Sequence, residues 1–137
     1  EVIKDGWFYS GDIGMLDELG FLIILDRAKD IVIRGGENIG CAEVEYAISE
    51  HPEVSEVSVY GIPEERLGEM LCCSIMLQAG SVLNSEQLTS FLSSRIASFK
   101  IPERAFFQYE QLPRIATGKI AKKELRKKTL EFLGVDA

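Results

Sequence analysis

The chain has 137 residues, 46% of them hydrophobic, enough for one compact domain with a core and too few for two sizeable ones. No stretch reaches the roughly 18 consecutive apolar residues of a membrane helix, and Cys41, Cys72 and Cys73 offer neither a disulfide framework nor paired zinc spacing, so a reducing cytoplasm is expected. A formal charge of −7 argues against a general nucleic-acid binder, although Arg114 to Lys128 holds seven basic residues against the single acid Glu124.

In chain order, the opening EVIKDGW shows neither a basic start followed by an apolar stretch nor a cleavage site, and because it starts at Glu1 the chain is expected to be a piece of a longer polypeptide. Trp7 to Tyr9, Ile13 to Leu16 and Phe21 to Leu25 are short apolar runs parted by turn residues, which predicts a small antiparallel meander. Ile31 to Ile33 predicts another strand, ended by Gly35-Gly36. Val44, Ala47 and Ile48 then fall at helical spacing within Cys41 to Glu50, and His51-Pro52 ends that helix.

Val54 to Ile62 and Leu71 to Leu77 predict strands of a central sheet, joined by a polar loop from Pro63 to Gly68. Leu88, Phe91, Leu92 and Ile96 fit an amphipathic helix capped by Asn84 or Ser85. Ala105 to Tyr109 predicts a last strand, and Leu125, Leu130 and Leu133 predict a terminal helix over Lys122 to Leu133, entered through the loop Pro113 to Gly118. The fold class is α+β: a small, mainly antiparallel sheet flanked by helices, with a short β-rich N-terminal tail.

Arg114-Ile115-Ala116-Thr117-Gly118-Lys119-Ile120 places a lysine after a small Thr-Gly pair and just ahead of a helix, so the loop can carry one point charge into another site. A Walker phosphate loop is excluded, because Pro113 stands where its first glycine belongs and Ile120 where it needs Ser or Thr. Taken alone, the tripeptide Thr117-Gly118-Lys119 would be an ordinary solvated loop.

Two further segments accompany it in order: Tyr9-Ser10-Gly11-Asp12, and Asp26 to Ile39 (DRAKDIVIRGGENI) followed by Glu43-Val44-Glu45. Together with Leu112 to Ile120, they resemble three motifs shared by the AMP-forming adenylate-forming ligases. The GGEN form is most similar to the acyl- and aryl-CoA synthetase branch. The resemblance covers essentially the whole chain and implies two parts: residues 1–26 as the end of a large N-terminal adenylation domain, and 27–137 as the C-terminal lid.

That family activates a carboxylic acid with ATP to an acyl-adenylate, then passes the acyl group to coenzyme A, and its small domain rotates between the two steps. The resemblance thus implies a ligase of the long- or medium-chain fatty acid class, inactive as this piece alone. ATP with Mg2+ and coenzyme A would be its co-substrates, the metal held mainly by the missing domain and the phosphates. It implies Asp12 and Arg27 for the ATP ribose and phosphate region, Lys119 as the adenylation lysine and Lys29 as the hinge. Gly35, Gly36 and Glu37 would line the coenzyme A passage, and Lys100 is similar to a site near the coenzyme A nucleotide in some relatives, with a solvated lysine as the alternative. Asp26, where Gly is usual, and Cys41, where Pro is common, depart from the pattern and bear on geometry around the hinge. The alternative function is a non-catalytic binding or regulatory module of the same fold.

Overall fold

The computed structural model describes residues 3–135, and the expectation resting on Glu1 lies outside the described residues. Among the described residues fourteen elements follow one another. Strands β1 (Ile3–Lys4) and β2 (Trp7–Phe8) form one antiparallel pair, and β3 (Asp12–Leu16) and β4 (Leu22–Arg27) form another. A single 3-10 turn, Ala28–Asp30, leads into β5 (Ile31–Arg34), β6 (Glu37–Gly40) and helix α1 (Cys41–Ser49). Then come β7 (Val54–Glu64), β8 (Gly68–Leu77), α2 (Ser85–Ser93), a second 3-10 turn at Ser98–Lys100, β9 (Arg104–Gln108) and α3 (Lys122–Leu133). Among the described residues no helix is long and apolar enough to cross a membrane.

The expected meander is instead two separate hairpins, because Tyr9-Ser10-Gly11 leaves the first pair without bonding to the second and Gly11 receives Ala28 N–H on its carbonyl at 2.8 Å. The expected polar loop from Pro63 to Gly68 shrinks to a turn at 65–67, with Pro63 and Glu64 continuing β7 opposite Glu69 and Gly68 of β8. Pro63 is tolerated there because β7 is the edge of its sheet, where a missing N–H breaks no ladder on the open side.

The five-stranded sheet runs β6-β5-β8-β7, with β9 also on β8. β7 occupies one edge of β8, while β5 and β9 share the other: β5 meets it antiparallel at Arg34 opposite Gly68, and β9 runs parallel to Cys72–Met76. A parallel neighbour needs a long crossover, and α2 lies in it. Glu69 extends the β5 contact, its carboxylate accepting the Ile33 N–H at 2.7 Å.

Both faces of the β7–β8 hairpin are covered. Val59, Leu71, Cys73 and Ile75 pack with Val44 and Ile48 of α1 and with Leu88 and Leu92 of α2. Tyr60, Ile62 and Cys72 point the other way, onto Leu125 and Leu130 of α3. The adjacent cysteines thus lie in different clusters, and burial pushes the thiols of Cys41 and Cys72 up to about 12. α2 begins with a capping box, Asn84 accepting from Gln87 N–H at 2.9 Å and the Gln87 amide accepting from Asn84 N–H at 3.1 Å.

The α3 face contains one buried polar cluster, in which the Tyr60 hydroxyl lies 2.8 Å from both Ser74 Oγ and Thr129 Oγ1. These three hydroxyls satisfy one another where water is excluded. Tyr60→Phe takes the shared partner from both and should destabilise the chain by about 1–3 kcal/mol. Urea denaturation followed by circular dichroism checks this, and an unchanged midpoint would show that the cluster contributes nothing.

Candidate functional site

The loop carrying Lys119 is a small hairpin rather than a disordered tether. Arg114 and Ile120 form a β-bridge, Ile115 N–H donates to the Lys119 carbonyl at 2.9 Å, and Gly118 N–H donates back to Ile115 at 2.9 Å. Gly118 turns the chain with φ +85°, a value that L side chains rarely adopt. Ala121 N–H closes the base of the loop on Pro113 at 2.7 Å.

The charges on either side of Lys119 are held. Arg114 pairs with Glu56 of β7 and donates through Nη1 to the Gly118 carbonyl at 2.8 Å. Lys122, half-buried, sits 2.8 Å from Glu45 of α1. Burial works to lower its pKa, but the hydrogen bond and charge of Glu45 outweigh it and hold the ammonium above its usual value. Lys119 between them is exposed and makes no ion pair among the described residues.

Asp12 and Arg27, fifteen positions apart, are brought together by the β3–β4 register, which sets them directly opposite. Arg27 Nε donates to Asp12 Oδ1 at 2.8 Å, and Ser10 Oγ accepts the Asp12 N–H at 3.2 Å. The Arg27 hydrogen bond, aided by Ser10, holds the Asp12 carboxyl below the usual carboxylate range. The pair presents an anion and a forked cation side by side at the surface, and no hydrogen bond or ion pair joins it to Lys119 among the described residues.

Lys29 lies in the middle of the 3-10 turn Ala28–Asp30 that connects β4 to β5. Beyond β5, Gly35 (φ +57°) and Gly36 (φ +86°) form a two-residue hairpin loop closed by Arg34 opposite Glu37. Two positive φ values are the signature of a type I′ turn, which explains the glycine pair and identifies β6, an element the sequence left unread. A Cβ on Gly36 would meet no atom within 4 Å, so the space is open, yet a leucine there would strain the turn.

Beside this turn an open cavity of about 380 Å³ is lined by Arg34, Leu67, Ser98 and Phe99. Arg34 donates through Nη1 to the Phe99 carbonyl at 3.0 Å and lies 2.7 Å from Glu103 as an ion pair without hydrogen-bond alignment. Lys100 is tied to both carboxylate oxygens of Glu43, at 2.8 and 2.7 Å, rather than simply solvated. No group of three or more His, Cys, Asp or Glu side chains among the described residues could hold a metal ion.

Three residues make contacts that the sequence does not disclose, Glu45 and Asp26 reading only as parts of the motifs and Glu56 not at all. Glu45, within a motif, also accepts the Val59 N–H at 2.8 Å and so joins α1, β7 and the start of α3. Glu56 accepts the Leu112 N–H at 3.2 Å besides its pair with Arg114. Asp26 accepts the Ala42 N–H at 3.1 Å and thereby serves the N-terminus of α1, whose own N-cap, Gly40, brings no side chain.

A model of the AMP-binding enzyme C-terminal domain matches residues 43–119. The chain is 41% identical, over 127 residues, to the 2-succinylbenzoate--CoA ligase of Geobacillus kaustophilus, covering 93% of this chain and 26% of that protein. It is 42% identical, over 130 residues, to the long-chain-fatty-acid--CoA ligase of Bacillus subtilis, covering 95% and 23%. Among solved structures, the o-succinylbenzoate CoA synthetase of Bacillus subtilis, in complex with its acyl-adenylate intermediate, aligns with a TM-score of 0.82 at 37% identity, over 91% of this chain and 25% of that one. The chain thus spans about a quarter of the length of the curated relatives it matches.

The Asp12–Arg27 pair gives a titration with a definite sign. Its folded pKa is depressed, so the pairing contributes fully above the unfolded value of about 3.9 and is lost as pH falls through the lower folded value. Carbon-detected NMR should place the Asp12 midpoint below the ordinary range and return it upward in Arg27→Gln. The same midpoint in both proteins would mean that the ion pair does not form in solution.

Proposed function

The chain belongs to the AMP-binding enzyme C-terminal domain family, and on that premise we propose that it is the lid of an ATP-dependent acid–thiol ligase. In this reading residues 1–26 belong to the end of a larger adenylating domain and 27–137 form the lid. The ligase converts a carboxylic acid and ATP to an acyl-adenylate and pyrophosphate, then transfers the acyl group to the thiol of coenzyme A with release of AMP. We assign the acid to the long- or medium-chain fatty acids; a fatty-acid ligase among the relatives supports this, and a 2-succinylbenzoate ligase marks the rival aryl class.

The observation that carries the reading is the treatment of charge around Lys119. Arg114 and Lys122 are paired on either side, while Lys119 is offered to solvent from a hydrogen-bonded turn. An ammonium held this way needs little reorganisation to sit between an attacking carboxylate and the α-phosphate as negative charge shifts in the transition state. Asp12, an ionised acceptor, takes the ribose hydroxyls, and Arg27, which never loses its charge, orients Asp12 and supports the phosphate side. Magnesium would arrive on the phosphates, and no residue of this chain is assigned to it.

For the second half-reaction the lid turns about Lys29 and brings the Gly35-Gly36-Glu37 hairpin to the acyl-adenylate. In this reading the open space at Gly36, where a Cβ would meet no atom within 4 Å, leaves room for a narrow thiol-bearing arm, while Leu67 packs 3.3 Å from where a Gly35 side chain would begin.

Two variants of the ligase polypeptide containing this chain test the division of labour. Lys119→Ala should raise the adenylation barrier by roughly 2.7 to 4 kcal/mol, about 10² to 10³ in rate, while transfer from supplied acyl-adenylate survives. Carboxylate-dependent pyrophosphate exchange and single-turnover transfer read the two halves separately, and equal losses in both would make Lys119 structural. Lys29→Pro restricts φ to about −65° and removes an N–H at the hinge. Adenylation should persist while transfer stalls and acyl-adenylate accumulates. A folded Lys29→Pro enzyme with normal transfer would remove the hinge assignment.

A further inference from the structure

Glu56 stands 58 positions before Arg114 in the chain, with the α2 and β9 segments between it and the Lys119 motif. A register shift between Val54 and Glu56 marks an irregularity in β7 at the end of the strand nearest the Lys119 loop. Bulges of this kind bend a strand and re-aim a side chain out of its regular alternation. Here the side chain that follows the irregularity is a carboxylate, 18% exposed, and both its oxygens are directed at the loop.

One oxygen accepts the Leu112 N–H at 3.2 Å and the other binds Arg114 Nη2. The second arm of the same guanidinium donates to the Gly118 carbonyl at 2.8 Å, on the residue directly before Lys119. Sheet, carboxylate, guanidinium and turn form an unbroken chain of charge-assisted bonds ending one peptide from the exposed ammonium. A lysine at 114 would keep the charge but lack the rigid fork needed to hold Glu56 and Gly118 together. The facing groups on neighbouring elements are accounted for: Glu45 is committed to Lys122 and Val59, and Gln108 to the carbonyls of Glu110 and Gln111.

We propose that Glu56 and Arg114 are positioning residues for adenylation, a clamp that fixes the Lys119 turn to the edge strand β7 so that the ammonium is delivered in one geometry. This rests on Lys119 being the adenylation lysine. Neither residue touches substrate. The clamp acts on orientation, where a displacement of about 1 Å is enough to cost up to a hundredfold in rate. Its effect therefore falls on kcat of the adenylation step and leaves KM for ATP and acid nearly unchanged.

The first measurement uses this chain itself. Amide hydrogen exchange at Ile115 and Gly118 should quicken by about tenfold or more in Glu56→Gln and Arg114→Lys, as expected for loss of one charge-assisted bond, while Val59 and Tyr60 in β7 stay protected. Protection at Val59 and Tyr60 shows that the variant is folded. Unchanged exchange at both loop amides would overturn the clamp.

The second measurement uses the ligase polypeptide, with whichever of decanoate, palmitate or benzoate supports the strongest pyrophosphate exchange. Each variant should lower adenylation kcat about ten- to a hundredfold with transfer from preformed adenylate retained. The double variant Glu56→Gln/Arg114→Lys should be no worse than the poorer single, because the two act as one unit. Lys119→Ala serves as the reference. If it abolishes exchange while both clamp variants keep the wild-type rate, the positioning role is wrong and the ligase reading stands. If Lys119→Ala also keeps the wild-type rate, the role of Lys119 fails and the clamp proposal falls with it.

Discussion

Burial of the β7–β8 hairpin on both faces is the constraint from which most of the molecule follows. A hairpin with solvent on one side could alternate apolar and polar residues, but this one has α1 and α2 on one face and α3 on the other. Nearly every position from Val57 to Ile62 and from Met70 to Leu77 must therefore be apolar or have a hydrogen-bond partner. Leu71-Cys72-Cys73 meets the demand with small or aliphatic side chains, and Tyr60 and Ser74 meet it by bonding to each other, with Thr129 of α3 joining Tyr60. Ser58 is the exception, a buried hydroxyl for which no protein partner is found among the described residues. The same hairpin supplies Glu56 to Arg114 and receives Glu45 on Val59, so the ion pairs on either side of the Lys119 loop both meet β7.

How far the sequence discloses this depends on whether a feature is local. The limits of α3 are legible because Leu125, Leu130 and Leu133 keep one face apolar and Gly134, with φ +66°, ends the helix. The start of α2 is legible because Asn84 and Gln87 stand at the spacing of a reciprocal cap. β6 is not, since Glu37 to Gly40 has one apolar residue, Ile39, and gains its strand character only by pairing with β5. Pro63-Glu64 reads as loop by composition and becomes strand because β8 provides partners on the side where proline needs no donor.

The site divides along the same line. The pairing of Asp12 with Arg27 could be expected only through resemblance of motifs, because no local pattern says that β3 and β4 place them opposite one another. Lys119 was accessible as a motif residue, but its isolation between two paired cations is a property of the tertiary structure. Glu56 has no sequence signal at all: a glutamate within a strand reads as a solvent-facing residue until the register shift turns it inward. The charge imbalance of Arg114 to Lys128 is likewise softened in the fold, where Arg114 is neutralised by Glu56, Lys122 by Glu45 and Lys128 by Glu124.

Asp26 shows what the proposed rotation about Lys29 would have to exchange. Its carboxylate, on β4, accepts the Ala42 N–H at the start of α1, so an acceptor before the proposed hinge serves a helix after it. Gly40 leaves room for this, since even a Cβ there would lie 3.1 Å from Asp26 Oδ2. Replacing a helix-capping acceptor with water costs on the order of 0.5–2 kcal/mol, a term of the same size as ordinary differences in ligand affinity between two conformations. On the proposed lid reading, contacts of this size can be exchanged through substrate or product binding, because a ligand moves a two-state equilibrium only by its differential affinity for the two states. On the proposed reading, the carboxylate at position 26 weights the balance toward the orientation in which it serves the start of α1.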